Sequence, residues 1–261
     1  MIIDSHCHLH DPAFADVRAT VEQAVAHDVY AIVAVGCDAP TNELTLTAGA
    51  TLPRAIFPCV GFHPDRPELG EADLEKVEEQ VHAHQSRLAA IGEIGLPWYS
   101  LEGAADPATL MTRGRARLDR MLTLAARYDL AVVLHAPHGA AVGALEALER
   151  HGIERAVFHW HKAPAGVTRA IVDAGYLVSV TPEVVYRERD RDLVERVPLE
   201  SLLVESDAPW AYGGEFTGLP SGPWLASRAA EEVAKIKNRP IDETMAQLCA
   251  NACRLFALDW R

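Results

Sequence analysis

Residues 4–10 read Asp-Ser-His-Cys-His-Leu-His and directly follow an apolar start. Side chains on a strand alternate faces, so His6 and His8 point one way and Cys7 the other. Two imidazoles on one side of a strand end make half of a metal site, because neutral imidazole ligates zinc and other first-row metals. Taken alone, the pair fits a hydrogen-bonded surface feature equally well. The other candidate ligands decide. They are His63 in Gly61-Phe62-His63-Pro64, Glu93 in Ile91-Gly92-Glu93-Ile94-Gly95, His135 after Leu134, His159 after Phe158, and Asp207 in Glu205-Ser206-Asp207-Ala208-Pro209. Each follows an apolar run.

Those runs are the elements that must position the chemistry. Strands are expected over Ile2–His6, Tyr30–Val35, Ala55–Val60, Ala89–Ile94, Ala131–His135, Ala156–His159, Tyr176–Val180 and Leu202–Glu205. Helical periodicity falls between them, as in Val17–Ala26, Leu74–His84, Arg113–Arg127, Gly143–Arg150 and Pro164–Ala174. Continuous apolar strands separated by helices indicate a parallel sheet covered on both faces. Eight such units in 261 residues predict an α/β fold, a TIM-type (β/α)8 barrel, complete or distorted. Extra helices, Trp224–Ile236 and Ile241–Phe256, close the chain, and one domain is expected over residues 1–261. No Gly-rich dinucleotide fingerprint supports the competing doubly wound sheet. The barrel brings all the strand ends to one mouth. Carboxylates facing imidazoles in a cleft are costly unless compensated, and one or two divalent cations would compensate them.

At these spacings the sequence resembles the TatD family of metal-dependent hydrolases, within the amidohydrolase superfamily. The matching motifs are Asp4-Ser5-His6-Cys7-His8-Leu9, Gly61-Phe62-His63-Pro64, Ala90–Leu96, His135, Phe158-His159, Leu203–Trp210 and the tail Asn251–Phe256. They run over essentially the whole chain. The resemblance implies a two-metal site: His6 and His8 on the first metal with Asp207 beside it, Glu93 bridging, and His135 and His159 on the second. It implies a substrate contact for His63 and hydrolysis of a phosphodiester, typically in DNA. Metals of such a site bring a bound water toward neutral pKa, and Asp207 is placed to orient that water and take its proton. Catalytic roles therefore fall to Asp207, Glu93 and His63. The ligand types suit zinc, manganese, cobalt or magnesium.

The chain departs from the family pattern at three places. Pro97 stands where an acid is usual. His135-Ala136-Pro137-His138 replaces a His-x-Arg. Trp160-His161-Lys162-Ala163-Pro164 replaces a Ser-Gly segment. Losing the arginine removes a bidentate phosphate clamp, for which Lys162 could substitute as a point charge. His161 forms a second His-x-His with His159 and reads as a substrate contact or a support behind the ligands, ahead of an extra ligand. His138 reads as a helix-start histidine with no metal role. His10, His27, His82, His84 and His151 read as solvated.

Two irregular stretches, Leu96–Thr109 and Ala208–Pro223, follow strands and so belong to the mouth. Their aromatics would cover the barrel top. Trp160 and Trp210, nearest the ligands, are the candidates for stacking unpaired bases. Arg187, Arg189 and Arg191 interleave with Glu188, Asp190 and Asp192 and read as a salt-bridged helix.

The net charge of −13 excludes a broad basic footprint for duplex nucleic acid. Bound metals can supply positive charge locally, so nucleic acid stays open as a substrate, with single-stranded ends favoured. A small-molecule ester, amide or lactone, or an aminoacyl-tRNA ester, is the alternative. A non-catalytic metal-binding scaffold is disfavoured by the complete ligand set. No apolar run spans a bilayer, no signal peptide pattern opens the chain, and no obligate protein partner is evident. The five cysteines, with no Cys-x-x-Cys pair, point to a reducing cytoplasm.

Overall fold

The computed structural model describes residues 1–259. Its strands and helices alternate: β1 (Ile2–Cys7), α1 (Val17–Val25), β2 (Val29–Val35), α2 (Ala39–Thr51), β3 (Ile56–Val60), α3 (Glu71–His84), β4 (Ala90–Gly95), α4 (Pro107–Tyr128), β5 (Ala131–His135), α5 (Ala140–Arg150), β6 (Ala156–Phe158), α6 (Ala165–Asp173), β7 (Leu177–Val180), α7 (Glu188–Arg196), β8 (Leu202–Val204), α8 (Leu225–Lys237) and α9 (Ile241–Phe256). All eight strands pair in parallel in chain order. A parallel bridge from Cys7 to Ala208 closes β8 onto β1. This is the expected TIM-type barrel with additional C-terminal helices.

Strand alternation divides the interior in two. Ile3, Val33, Val133, Val157 and Leu203 point into the barrel, where Leu255 and Phe256 of α9 plug the end opposite the mouth. Ile2, Ile32, Ile91, Val132 and Leu134 point outward under the helices. Both strand faces are therefore apolar, as a two-sided parallel sheet requires.

Helix α2 has no clear apolar stripe in the sequence. Its start is set by Asp38, whose carboxylate accepts from the Thr41 amide in a capping box, and by Pro40 in the first turn. The Arg187–Asp192 segment does form a helix, α7, but its arginines pair largely with other elements. Arg187 and Arg189 bind Glu183, and Arg191 binds Glu232 of α8. Among the described residues no helix is long and apolar enough to cross a membrane.

Candidate metal centre

Glycines let the strand ends close on one another. A Cβ on Gly61 would strike the Glu93 backbone, and one on Gly95 would strike the His135 carbonyl. Beneath them Asn42, fully buried, donates to the Gly61 carbonyl at 2.9 Å and accepts from its amide at 3.1 Å. These approaches bring the ends of β3, β4 and β5 together.

The Glu93 carboxylate is the focus. Its Oε2 lies 3.4 Å from His6 Nε2 and 3.7 Å from His8 Nε2. Its Oε1 lies 2.7 Å from His135 Nδ1, 2.8 Å from His159 Nε2 and 3.3 Å from His63 Nε2. Asp207 Oδ1 stands 3.4 Å from His6 Nε2 and 3.2 Å from His8 Nε2. Glu93 is thus shared between two groups of imidazoles, one on each oxygen.

The donor set fits divalent cations. The Nε2 atoms of His6 and His8 face each other at 3.3 Å, and so do His135 Nδ1 and His159 Nε2 at 3.3 Å. Glu93 Oε2 and Asp207 Oδ1 are buried with no hydrogen-bond partner among the described residues. Facing lone pairs and orphaned carboxylate oxygens are what a cation between them would satisfy. Electrostatics agrees. Burial alone would raise the Glu93 carboxyl, but His159, His63 and His6 outweigh it and hold the group well below the usual range. Burial alone would lower His159, but Glu93 and Glu205 outweigh it and carry the ring up to about 10. The carboxyls of Glu93 and Asp207 are therefore both held below their ordinary range, in the ionised state that can ligate a cation.

Behind the ligands stand groups that the motifs did not single out. Asp65 Oδ2 accepts from His135 Nε2 at 3.1 Å, which leaves Nδ1 as the lone pair aimed at the site. Its Oδ1 accepts from the amides of Trp98 and Ser100 and from the Ser100 hydroxyl. One carboxylate so ties a ligand to the loop after β4. Glu205, fully buried, accepts from the Trp160 amide and the Ser179 hydroxyl and lies 3.4 Å from His159 Nδ1. Cys37 Sγ lies 3.7 Å from His8 Nδ1. Asp4 accepts from the Ser206 amide and hydroxyl, clamping β1 to the segment after β8. The available signal for Asp65 and Glu205 is a carboxylate two residues from His63 and from Asp207.

His63 is set as a donor. Its Nδ1 accepts from the Asp65 amide at 3.1 Å, so in the neutral ring Nε2 carries the proton. That proton faces Glu93 Oε1, 3.3 Å from Nε2.

Several expectations are corrected. His161 does not face the mouth. It is 2% exposed, its Nε2 meets the Thr168 hydroxyl of α6 at 2.8 Å, and burial brings its pKa down to about 4. Trp160, at φ 36°, turns the chain into the left-handed region and breaks the alternation that would have put His161 beside His159. Trp160 is no open stacking platform either. It is 8% exposed, packed with Tyr212 and Phe216, and Lys162 Nζ sits 3.5 Å from its ring centre. Trp210 is 54% exposed beside His8 and Asp207. His10 is not solvated: its Nδ1 meets the Val35 carbonyl at 3.0 Å, and burial lowers it to about 4. His138 sits just before α5 next to Trp98, as expected of a helix-start histidine, whereas His151 is not simply solvated but pairs with Asp119.

The family model "TatD related DNase" matches residues 3–257. The chain belongs to this family. It is 29% identical over 263 residues to "Deoxyribonuclease TATDN3" of Homo sapiens, covering 98% of this chain and 94% of that one. It is 32% identical over 270 residues to "Uncharacterized metal-dependent hydrolase TatD" of Mycobacterium tuberculosis, covering 99% of each. The crystal structure of YjjV, a TatD homolog from Escherichia coli K12, superposes with a TM-score of 0.88 at 30% identity, covering 98% of both chains. The protein is a metal-dependent hydrolase of the TatD type.

Proposed function

We propose that this TatD-family hydrolase is a two-metal phosphodiesterase that acts on DNA, preferentially at single-stranded ends. The observation that carries the reading is the division of Glu93, with His6 and His8 on one oxygen and His135 and His159 on the other. His6, His8 and Asp207 would hold one divalent ion, His135 and His159 the second, and Glu93 both. When bound, such ions supply Lewis acidity and a nucleophilic water at neutral pH. Asp207, bordering the opening beside His6 and His8, orients the water and accepts its proton. His63 donates from Nε2 to a phosphoryl oxygen. Lys162 adds positive charge at the rim. Trp210 offers an exposed ring to an unpaired base. The human relative's name, deoxyribonuclease, supports the same substrate class.

A second reading, hydrolysis of a carboxylic ester, amide or lactone, aminoacyl-tRNA included, has one observation in its favour. Arg189, whose charge reaches Lys162 and His138, is tied to Glu183 and Asp190 and is not free to clamp a phosphate.

The test strips the protein with chelator and reloads it separately with zinc, manganese, cobalt and magnesium. Matched single- and double-stranded DNA, RNA, aminoacyl-tRNA and small esters are then offered. Single-stranded DNA should be cleaved faster than blunt duplex, and His63→Ala should slow cleavage. Turnover of esters with no cleavage of any nucleic acid would replace the first reading by the second.

A further inference from the structure

A groove of about 930 Å3 lies between α6 and α7, at the upper end of the roughly 300–1,000 Å3 of small-molecule pockets. It starts at the rim of the metal centre. Asp207 and Trp210 border the opening, the Trp210 ring lies 5.2 Å from that of Trp160, and Trp160 carries Lys162 on its face. Lys162 is also the first residue of the groove wall. The chemistry of that wall is amphipathic. Pro164, Val172, Leu193 and Val197 give it an apolar floor, while four cations, Lys162, Arg169, Arg189 and Arg196, stand along it against two carboxylates, Asp173 and Asp192. Arg189 and Arg196 are neutralised by Glu183 and Asp192. Lys162 and Arg169 have no carboxylate within ion-pairing distance among the described residues, and Arg169 is exposed on α6. Two cations without an ion-pair partner on one wall stand out in a chain of net charge −13.

We propose that this groove holds the single strand that flanks the scissile phosphate, with a backbone phosphate at Lys162 and the next at Arg169, and bases laid on the apolar floor. The inference rests on the phosphodiesterase reading and adds to it the path of the strand. Charge complementarity selects an anionic chain over a neutral one. The floor selects unpaired bases, because a duplex keeps its bases stacked inside and presents only phosphates. The helix start supports the placement: α6 has no side-chain cap, and its first-turn amides adjoin Pro164 and Ala165 of the same wall. A substrate too short to leave the metal centre gains nothing from the groove.

The experiment compares metal-loaded wild type, Arg169→Glu and Arg87→Glu. Arg87 is exposed ahead of β4, at the opposite end of the barrel, and controls for net charge. Three substrates are used: bis(p-nitrophenyl) phosphate, a thymidine dinucleotide and a long oligothymidylate. Wild type should show a lower KM for the long strand than for the dinucleotide. Arg169→Glu should raise KM for the long strand about tenfold, and its salt dependence should fall by about 0.7 in log–log slope, as for one lost phosphate contact on a single strand. It should leave kcat for all three substrates, and KM for the two short ones, unchanged. Arg87→Glu should match wild type. Anisotropy of a labelled oligothymidylate in chelator gives a second readout, with binding weakened in Arg169→Glu alone. If all diesters are cleaved but Arg169→Glu behaves as wild type on the long strand, the groove is not the strand path and the phosphodiesterase reading stands. If no phosphodiester is cleaved, that reading falls and the strand path falls with it.

Discussion

Replacing Asp65 by Asn tests how the second half of the metal centre is held. Asp65 Oδ1 accepts from the Trp98 and Ser100 amides at 2.9 Å each and from the Ser100 hydroxyl at 2.6 Å. Its Oδ2 faces His135 Nε2 at 3.1 Å. Asparagine keeps the first oxygen, so the loop stays anchored. At the second position it presents an NH2 group, which is a donor facing a donor. The conflict is relieved when His135 moves its proton to Nδ1, the nitrogen aimed at Glu93, which then has no lone pair for a metal. Partners behind ligating histidines are worth about 10–100-fold in metal affinity, or about 1.4–2.7 kcal/mol. The assay is competition titration against a chromophoric chelator with metal content measured on the same samples. One of two binding steps should weaken by that factor while the other, on His6, His8 and Asp207, holds. Asp65→Ala should lose the loop anchor as well and raise protease sensitivity at residues 98–101. Two unchanged binding steps in Asp65→Asn would refute the tautomer argument. Equal weakening of both would show that Asp65 acts on the whole barrel mouth rather than on His135.

Glu93→Gln should lower metal occupancy more than Asp207→Asn, because Glu93 serves both imidazole groups and Asp207 one; elemental analysis of the two variants decides, and equal occupancy would mean the roles are wrongly divided. Asn42→Ala should destabilise the fold by about 2–6 kcal/mol in urea unfolding, since two buried backbone groups of Gly61 lose their partner at about 1–3 kcal/mol each. His161 should make the protein acid-sensitive: its folded pKa of about 4 lies below the ordinary 6.5, so between these values the unfolded chain binds more protons and stability falls as pH falls. The full effect is about 3 kcal/mol below pH 4, and melting curves in chelator should show a smaller loss from pH 7 to pH 4.5 in His161→Gln than in wild type.

The sequence by itself determined the barrel and nominated the candidate metal ligands. Both are local. Strand faces follow from alternation, so the His6-x-His8 pair could be assigned to one face before any fold was known. The other ligands sit at or just past the ends of apolar runs, and a parallel barrel brings every such end to one mouth. Only the tertiary structure decided the rest. The partnership of Asp65 with His135 joins residues 70 apart in the chain, and the two oxygens of Glu93 could not be apportioned without the positions of five rings. Where the strands stop, alternation stops with them. The left-handed turn at Trp160 sent His161 inward to Thr168, although its spacing from His159 matches that of His6 from His8. The groove between α6 and α7 is likewise invisible in sequence, because it depends on how far apart two consecutive helices lean against the same barrel.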